Sequence, residues 1–164
     1  MEQVVEDSFV EKPNRTKPFP VGRFSDGSFP VYYSALEEAT CQQELAFNLA
    51  REFSGEPGDT SGHPRSFSLI SCFYSGTTSD LRGREQAHPE LISQTEEGYP
   101  FCQSLGFESV RLKIDAFLAP SARFHSGTCI PVFNRSALSN PAIRARFKVL
   151  VDDGDVEFQQ EPFQ

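Results

Sequence analysis

Residues 22–35 read GRFSDGSFPVYYSA, with an arginine ten residues ahead of a tyrosine and a turn between them. Gly27 and Pro30 interrupt any 3.6-residue repeat, so the stretch does not form a helix. It is typical of two short extended pieces joined at SDGS, because Asp-Gly tolerates the positive φ of a tight reversal. We therefore predict that Arg23 and Tyr33 come from paired strands and face the same hollow.

The next segment, SALEEATCQQELAFNLAREF at residues 34–53, is the clearest helix in the chain. Ser34 followed by Glu37 fits a capping box, in which a hydroxyl and a carboxylate each bond a free backbone N–H of the first turn. A repeat at i, i+4 and i+8 predicts one buried stripe on this helix. The members of the stripe are Leu45, Leu49 and Phe53.

Apolar runs further along the chain predict strands at FSLISCFY, residues 67–74, and at CIPVF, residues 129–133. VRLKIDAFL, residues 110–118, alternates apolar and charged residues, which favours a half-buried strand. The alternative for that segment is the end of a helix running into a short strand. RARFKVLVDDGDVEFQ, residues 144–159, predicts a closing hairpin with its turn at Asp153-Gly154.

A chain of 164 residues is one ordinary domain. Strands that alternate irregularly with one or two helices predict an α+β architecture, with the domain at residues 21–164 and an extended, proline-bearing arm at residues 1–20. Residues 54–66 are a loop by composition, and residues 81–98 are predicted as mixed helix and loop. Sixteen Phe and no Trp predict a core built largely from phenyl rings.

The formal net charge of −8 argues against nonspecific binding to nucleic acid or an anionic membrane, because such binding needs positive potential. There is no run of about twenty apolar residues, and the acidic N-terminal stretch lacks the apolar region of a secretory signal. We therefore expect a cytoplasmic protein. Two disulfides are formally open to the four cysteines, but we expect reduced thiols, and no cluster at metal-ligand spacing indicates a metal.

The candidates for chemistry are four residues and a fifth of second rank: Arg23, Tyr33, Glu44, Ser121 and Arg123. Arginine binds phosphate or carboxylate through two donors, and tyrosine offers a flat ring to a ligand. Their ordinary alternatives are a surface cation and a core aromatic residue. Glu44 lies at the border of the apolar helix face, or is a solvated helix glutamate. Ser121, in APSARFHSGT, has no GxSxG elbow, so it is a hydrogen-bond donor or a turn serine rather than a nucleophile.

Taken in chain order, these residues resemble one family, the RES-domain proteins, named for an arginine, a glutamate and a serine. The resemblance begins at GRFS, where Arg23 matches the family arginine. It continues through GSFPVYYSALEEATCQQEL, in which Tyr33 falls on the tyrosine of the Tyr-x-Ala pattern and Glu44 falls on the glutamate.

The resemblance resumes at YPFCQSLG, residues 99–106, and at DAFLAPSARFHSGTCIPVFNRSAL, residues 115–138. In the second block Ser121 matches the family serine. The likeness covers roughly residues 20–150 and is weakest at residues 54–98.

This resemblance implies an ADP-ribosyltransferase-like fold of small twisted sheets and a few helices around a cleft that binds NAD as substrate. Family members are largely toxins of bacterial toxin–antitoxin pairs that break the bond between nicotinamide and ribose, by hydrolysis or by phosphorolysis. No cofactor is implied beyond NAD itself, with phosphate as an open co-substrate. The implied partner is a helix-turn-helix antitoxin that covers the active site, and homodimer formation is left open.

The resemblance also assigns roles to the candidate residues. Glu44 is expected beside the ribose, where a carboxylate stabilises the positive charge of an oxocarbenium-like transition state. Arg23 is expected to hold the pyrophosphate, with Arg123 as a second phosphate contact. Tyr33 is expected to stack on the nicotinamide or its ribose, and Ser121 to bond within the nicotinamide pocket.

Two other functions fit the same residues. Some relatives transfer ADP-ribose to a specific target, which would make this protein a mono-ADP-ribosyltransferase. A binding module without catalysis is the third hypothesis. The chain has no GxGxxG between a strand and a helix, so NAD would not be bound in the Rossmann manner.

Overall fold

The structure, a computed structural model, describes residues 2–13, 15–53, 64–152 and 155–162. Over these ranges the chain forms three α-helices: α1 (Glu2–Glu6), α2 (Glu38–Phe53) and α3 (Tyr99–Arg111). It also forms seven strands: β1 (Tyr32–Ala35), β2 (Arg65–Tyr74), β3 (Thr78–Asp80), β4 (Ala116–Pro120), β5 (Thr128–Val132), β6 (Leu138–Asp152) and β7 (Asp155–Glu161). Short 3₁₀ helices lie at Pro89–Ile92, Glu96–Gly98 and Arg135–Ala137.

The strands form two small sheets. The first has the order β1-β5-β4-β3, in which β5 is antiparallel to both of its neighbours and β3 runs parallel to β4. The second has the order β2-β6-β7 and is antiparallel throughout. Two small sheets and the helices around them confirm the predicted α+β class.

Phenylalanine rings form the core against the first sheet. Phe24, Phe29, Phe117 and Phe133 are buried in one cluster with Cys102 of α3. The ring centroids of Phe117 and Phe133 lie 5.0 Å apart at an interplanar angle of 82°. This edge-to-face arrangement is the one that aromatic quadrupoles favour. This cluster is aromatic, as the sixteen Phe predicted, whereas the other two buried clusters are mainly aliphatic.

Helix α2 packs on the second sheet through its apolar stripe. Leu49 is buried in a cluster with Phe147 and Val149 of β6, and Leu45 packs against that cluster. The side chain of Phe53, the third predicted member of the stripe, lies outside the described residues. Among the helices of the described ranges, none is long and apolar enough to cross a membrane.

The predicted start of this helix was wrong. Ser34 belongs to β1, where it pairs with Ile130 and donates its hydroxyl to the Ile130 carbonyl at 2.8 Å. It is therefore not a helix cap, and α2 begins four residues later, at Glu38. Glu37 instead accepts the Thr40 hydroxyl at 2.7 Å and the backbone N–H of Thr128 at 3.0 Å, which ties the start of α2 to β5.

The strand predicted at residues 110–118 was also wrong, and its alternative is what the structure shows. Helix α3 runs to Arg111, and β4 begins at Ala116. Lys113 has a φ of 58°, a left-handed conformation that ends the helix between them. Val110 and Leu112 are exposed, so the alternation did not mark a buried face.

The other predicted strands are confirmed. β2 and β5 contain the runs at residues 67–74 and nearly all of 129–133, and β6 pairs with β7 as a closing hairpin. Its predicted turn, Asp153-Gly154, lies outside the described residues. In the N-terminal arm, α1 is helical and its Val5 is buried against the first sheet, while the division of the chain at residue 20 stays a prediction.

Candidate active site

A cleft of about 700 Å³ lies beside the first sheet. Its wall is built from the segment before β1, from β1 itself, from one face of α2, from the start of α3 and from the chain that follows β4. Four of the five candidate residues line it: Arg23, Tyr33, Glu44 and Arg123. The fifth, Ser121, is buried directly behind the wall and bonds to Glu44. The fold therefore gathers residues that are up to a hundred positions apart in the chain.

Arg23 is anchored by backbone carbonyls. It lies in a tight turn closed by the bridge between Gly22 and Ser25. Its guanidinium donates to the carbonyls of Glu90 at 3.3 Å, Leu91 at 3.4 Å and Ser93 at 2.8 Å, and lies 5.4 Å from the ring centroid of Tyr99. These bonds use three of the five N–H donors of an arginine, which leaves donors for a ligand.

Tyr33 faces the same cleft, but not as the strand partner of Arg23. That predicted pairing was wrong, because β1 pairs with β5 and Tyr33 is opposite Pro131. The contact is made by the side chain: the phenolic oxygen accepts the backbone N–H of Phe24 at 3.0 Å. A Cβ at Gly22 would lie 2.5 Å from the same oxygen, so only glycine allows this approach.

The hydroxyl end of the Tyr33 ring is therefore held by a hydrogen bond, whereas other parts of the side chain are exposed. The residue as a whole is 48% exposed, while its hydroxyl is packed against backbone. Burial of that hydroxyl raises the pKa of Tyr33 above its ordinary value, and the Phe24 N–H and the Arg23 charge only partly oppose this effect. At neutral pH Tyr33 is an uncharged phenol that presents its ring to the cleft.

Glu44 is one of two glutamates that line the cleft. It projects from α2, and one of its oxygens, Oε1, accepts two side-chain donors. The Ser121 hydroxyl donates at 2.7 Å and the Cys129 thiol donates at 3.4 Å. In the described part of the chain no protein donor bonds the other oxygen, Oε2. The carboxylate is thus held in one orientation with one oxygen available.

Ser121 is the link between this carboxylate and the loop after β4. Its hydroxyl donates to Glu44 and accepts the backbone N–H groups of Arg123 and Phe124, both at 3.1 Å. Its own N–H donates to the Gly127 carbonyl. The hydroxyl therefore uses its bonding capacity inside the protein and faces Glu44 rather than open cleft, which differs from a direct contact in the nicotinamide pocket.

Arg123 lies flat on an aromatic ring. Its guanidinium carbon is 3.4 Å from the ring centroid of Phe47, a residue of α2 one turn after Glu44. Its Nη1 donates to Oε1 of Gln94 at 2.6 Å, and its buried Nε has no partner among the described residues. Burial and then the nearby charge of Arg23 lower the pKa of Arg123 from its ordinary value, and Glu44 partly opposes them.

The Cys129 thiol stays protonated beside Glu44. Burial, followed by the negative charge of Glu44, raises its pKa to about 12. A protonated thiol is a donor, which is the role it plays toward Oε1. It is not a ready nucleophile, since nucleophilic attack needs the thiolate. All four cysteines of the chain are free thiols.

Three residues of the site were not among the candidates from sequence: Tyr99, Gln94 and Cys129. Cys129 begins the predicted strand CIPVF, where a cysteine is interpreted as a buried core residue. Tyr99 opens the block YPFCQSLG, which carried part of the family resemblance but no assigned role. Gln94 lies in a polar stretch with no periodic signal, so nothing in the sequence indicated its contact.

Three guanidinium groups, those of Arg23, Arg51 and Arg123, line one cleft with an oriented carboxylate, an arrangement that suits an anionic ligand next to a fixed negative charge. A family model for the RES domain matches residues 4–158 of the 164, so the chain belongs to the RES domain family. The match confirms the resemblance and extends it toward both ends of the chain. It also includes residues 54–98, where the likeness was weakest. No curated protein matches the chain. Membership of this family indicates NAD-related activity.

Proposed function

We propose that this protein degrades NAD by breaking the bond between nicotinamide and ribose, as the toxin of a toxin–antitoxin pair. The observation that carries the proposal is the orientation of Glu44. Its Oε1 is held by Ser121 at 2.7 Å and Cys129 at 3.4 Å, inside a cleft of about 700 Å³. Arg23 and Arg123 line the same cleft, in a protein whose net charge is −8.

Cleavage of the bond between nicotinamide and ribose needs a negatively charged carboxylate more than it needs a general acid. Nicotinamide leaves as a neutral base and takes the electron pair of the broken C–N bond, so no strong general acid is required. The ribose carbon becomes positive in the transition state, and a nearby fixed carboxylate stabilises that charge. In hydrolysis a water oxygen forms the new bond and its proton goes to Glu44 or to solvent. In phosphorolysis a phosphate oxygen forms that bond.

The remaining residues of the cleft bind and orient. Arg23 and Arg123 supply donors and positive charge for the pyrophosphate, which an acidic protein can admit only next to local cations. Tyr33 supplies an uncharged ring face on which the nicotinamide or its ribose stacks. Ser121 acts on the reaction through Glu44, because its hydroxyl donates to that carboxylate.

Nicotinamide release from NAD by the purified protein tests the proposal, and Glu44→Gln is the decisive variant. Gln still accepts the Ser121 hydroxyl, so the fold is kept while the negative charge is lost. We expect kcat to fall by about 10³-fold, the scale at which a fixed transition-state contact acts. Glu38→Gln is the matched control, because Glu38 is an exposed glutamate of the same helix that does not line the cleft.

The alternatives appear as different outcomes of the same assay. Release that needs phosphate indicates phosphorolysis, and release without it indicates hydrolysis. NAD labelled in its ADP-ribose part that leaves label on another protein, with little free ADP-ribose, indicates a transferase. Binding of NAD without any change in it indicates a binding module. The absence of nicotinamide release, with and without phosphate, contradicts the proposal.

We also propose, from family membership, that a helix-turn-helix antitoxin covers this cleft in the cell. Expression of the protein alone should then lower cellular NAD and stop growth, and the Glu44→Gln variant should do neither. Expression together with a helix-turn-helix protein from the neighbouring reading frame should restore both. Growth arrest that persists at a normal NAD level would contradict this part of the proposal.

A further inference from the structure

The segment at residues 89–98 supplies a partner to each arginine that lines the cleft within the described residues. Arg23 donates to three of its backbone carbonyls. Arg51, at the end of α2, pairs with Glu96 at 2.8 Å. Arg123 donates to Gln94 at 2.6 Å. One segment, in the part of the chain where the sequence likeness was weakest, therefore sets where the positive charges of the cleft lie.

Gln94 makes the most specific of these contacts. Its Oε1 accepts Nη1 of Arg123, and its Nε2 donates to the backbone carbonyl of Ala122, the residue just before that arginine. A guanidinium has only donors and a carbonyl oxygen only accepts, so these two neighbours fix which end of the amide faces which group. Together with the Phe47 ring beneath it, the amide holds the Arg123 guanidinium in one plane.

The hydrogen-bond partner of Arg123 is a neutral amide oxygen. Carboxylates pair with five others in the described residues: Arg51, Arg65, Arg82, Arg111 and Arg135. Arg23 and Arg123, by contrast, are held by carbonyl and amide oxygens. An amide orients a guanidinium without neutralising it, whereas a carboxylate would compete with an anionic ligand for the same donors.

We propose that Gln94 is a positioning residue that holds Arg123 flat on Phe47 with its full charge available to the phosphates of the bound dinucleotide. The inference rests on the proposed function for the identity of the ligand. It adds the requirement that position 94 carry a neutral acceptor: a carboxylate there would still bind Arg123, but it would offset the positive charge, weaken binding of the ligand and lose the bond to the Ala122 carbonyl.

The test compares Gln94→Glu, Gln94→Ala and the wild type. Steady-state kinetics with NAD give KM and kcat, and calorimetric titration with ADP-ribose gives binding without turnover. We expect Gln94→Glu to raise KM and the ADP-ribose dissociation constant roughly tenfold, the effect of one partly solvent-screened charge. Gln94→Ala should raise both by about threefold through lost orientation. In each variant kcat should stay within about threefold, because Glu44 and Ser121 are unchanged.

Gln86→Glu is the matched control, since it places the same new charge at an exposed position that does not line the cleft. A purely structural role for Gln94 would lower kcat or the unfolding midpoint together with the ADP-ribose affinity. Equal ADP-ribose affinity in all variants, or no ADP-ribose binding by the wild type, overturns the inference. Nicotinamide release by the wild type separately decides the proposed function, so the two failures are distinguishable.

Discussion

The two walls of the cleft hold their charges by different means. The carboxylate wall is Glu44 with Ser121 and Cys129, where two side-chain donors meet one side-chain oxygen. The arginine wall is Arg23 with Arg123, where the guanidinium groups bond to backbone carbonyls and to an amide. The carboxylate is therefore oriented by two side chains, and the cations are oriented by a whole segment of chain.

This difference has consequences for substitutions. A side chain that bonds only to other side chains can be replaced by an isostere while the backbone stays in place. A guanidinium that satisfies three carbonyls is also part of the fold, because buried acceptors lose their donors when it is removed. Substitution of Glu44 should therefore separate activity from stability, and substitution of Arg23 should not.

The largest combined effect is expected at Arg23→Lys. An ammonium keeps the charge but cannot span carbonyls of three different residues as a planar guanidinium does. We expect the free energy of unfolding to fall by about 2 kcal/mol and KM for NAD to rise by at least tenfold. Urea denaturation and steady-state kinetics measure the two effects, with the exposed Arg82→Lys as control. A raised KM at unchanged stability would show that the carbonyl bonds do not contribute to the fold.

A smaller, mixed effect is expected at Ser121→Ala. The substitution frees Glu44 to rotate, and we expect kcat to fall about tenfold. It also leaves the N–H groups of Arg123 and Phe124 without their acceptor, which should lower the free energy of unfolding by about 1 kcal/mol.

Ser104→Ala, an exposed serine of α3 that donates to the Phe101 carbonyl, is the control for this substitution. The loss of activity in Ser121→Ala is then compared with the loss in Glu44→Gln. If Ser121→Ala loses as much activity as Glu44→Gln, the hydroxyl has a role beyond orienting the carboxylate.

The smallest effect is a pH dependence that arises at Cys129. Its pKa is raised to about 12, mainly by burial and then by Glu44, whereas in the unfolded chain the thiol ionises near its ordinary value. At pH values between the ordinary pKa of the thiol and its raised pKa in the folded protein, the unfolded state releases a proton that the folded state keeps. The free energy of unfolding therefore falls as the pH rises above about 9, by at most about 1.4 kcal/mol per pH unit for this thiol.

Denaturant titrations at pH 8, 9 and 10, on the wild type and on Cys129→Ala, measure this contribution. Other buried groups also titrate in this range, since burial raises the pKa of Tyr32 to about 12 as well. The difference between the two proteins isolates Cys129, and the variant should lose stability less steeply. Equal slopes would mean that the thiol is not held protonated by its surroundings.

Much of the fold could be predicted from local patterns. The apolar runs of β2 and β5 and the hairpin of β6 and β7 are encoded by residues close together in the chain. The two failures have different causes, one of long range and one local. Ser34 fitted a helix cap and residues 110–118 fitted a strand, but long-range pairing with Ile130 decided the first and the left-handed Lys113 decided the second.

The residues of the candidate site also divide into those that the sequence predicted and those that it did not. Arg23, Tyr33 and Glu44 lie in one continuous block whose order was informative, and the fold brings all three to one cleft. Tyr99 meets Arg23 through a ring contact, and Gln94 meets Arg123 through a hydrogen bond, and neither contact has a periodic signal in the sequence. Such contacts depend on how loops cross in space, which local propensities do not encode.

The distribution of tyrosines gives the cleft its own optical signal. The chain has no Trp and four Tyr, so tyrosine dominates its intrinsic fluorescence. Two of the four, Tyr33 and Tyr99, line the cleft. About half of the emitting rings therefore stand where a ligand would quench them, and emission from the unlabelled protein can report occupancy of the cleft directly.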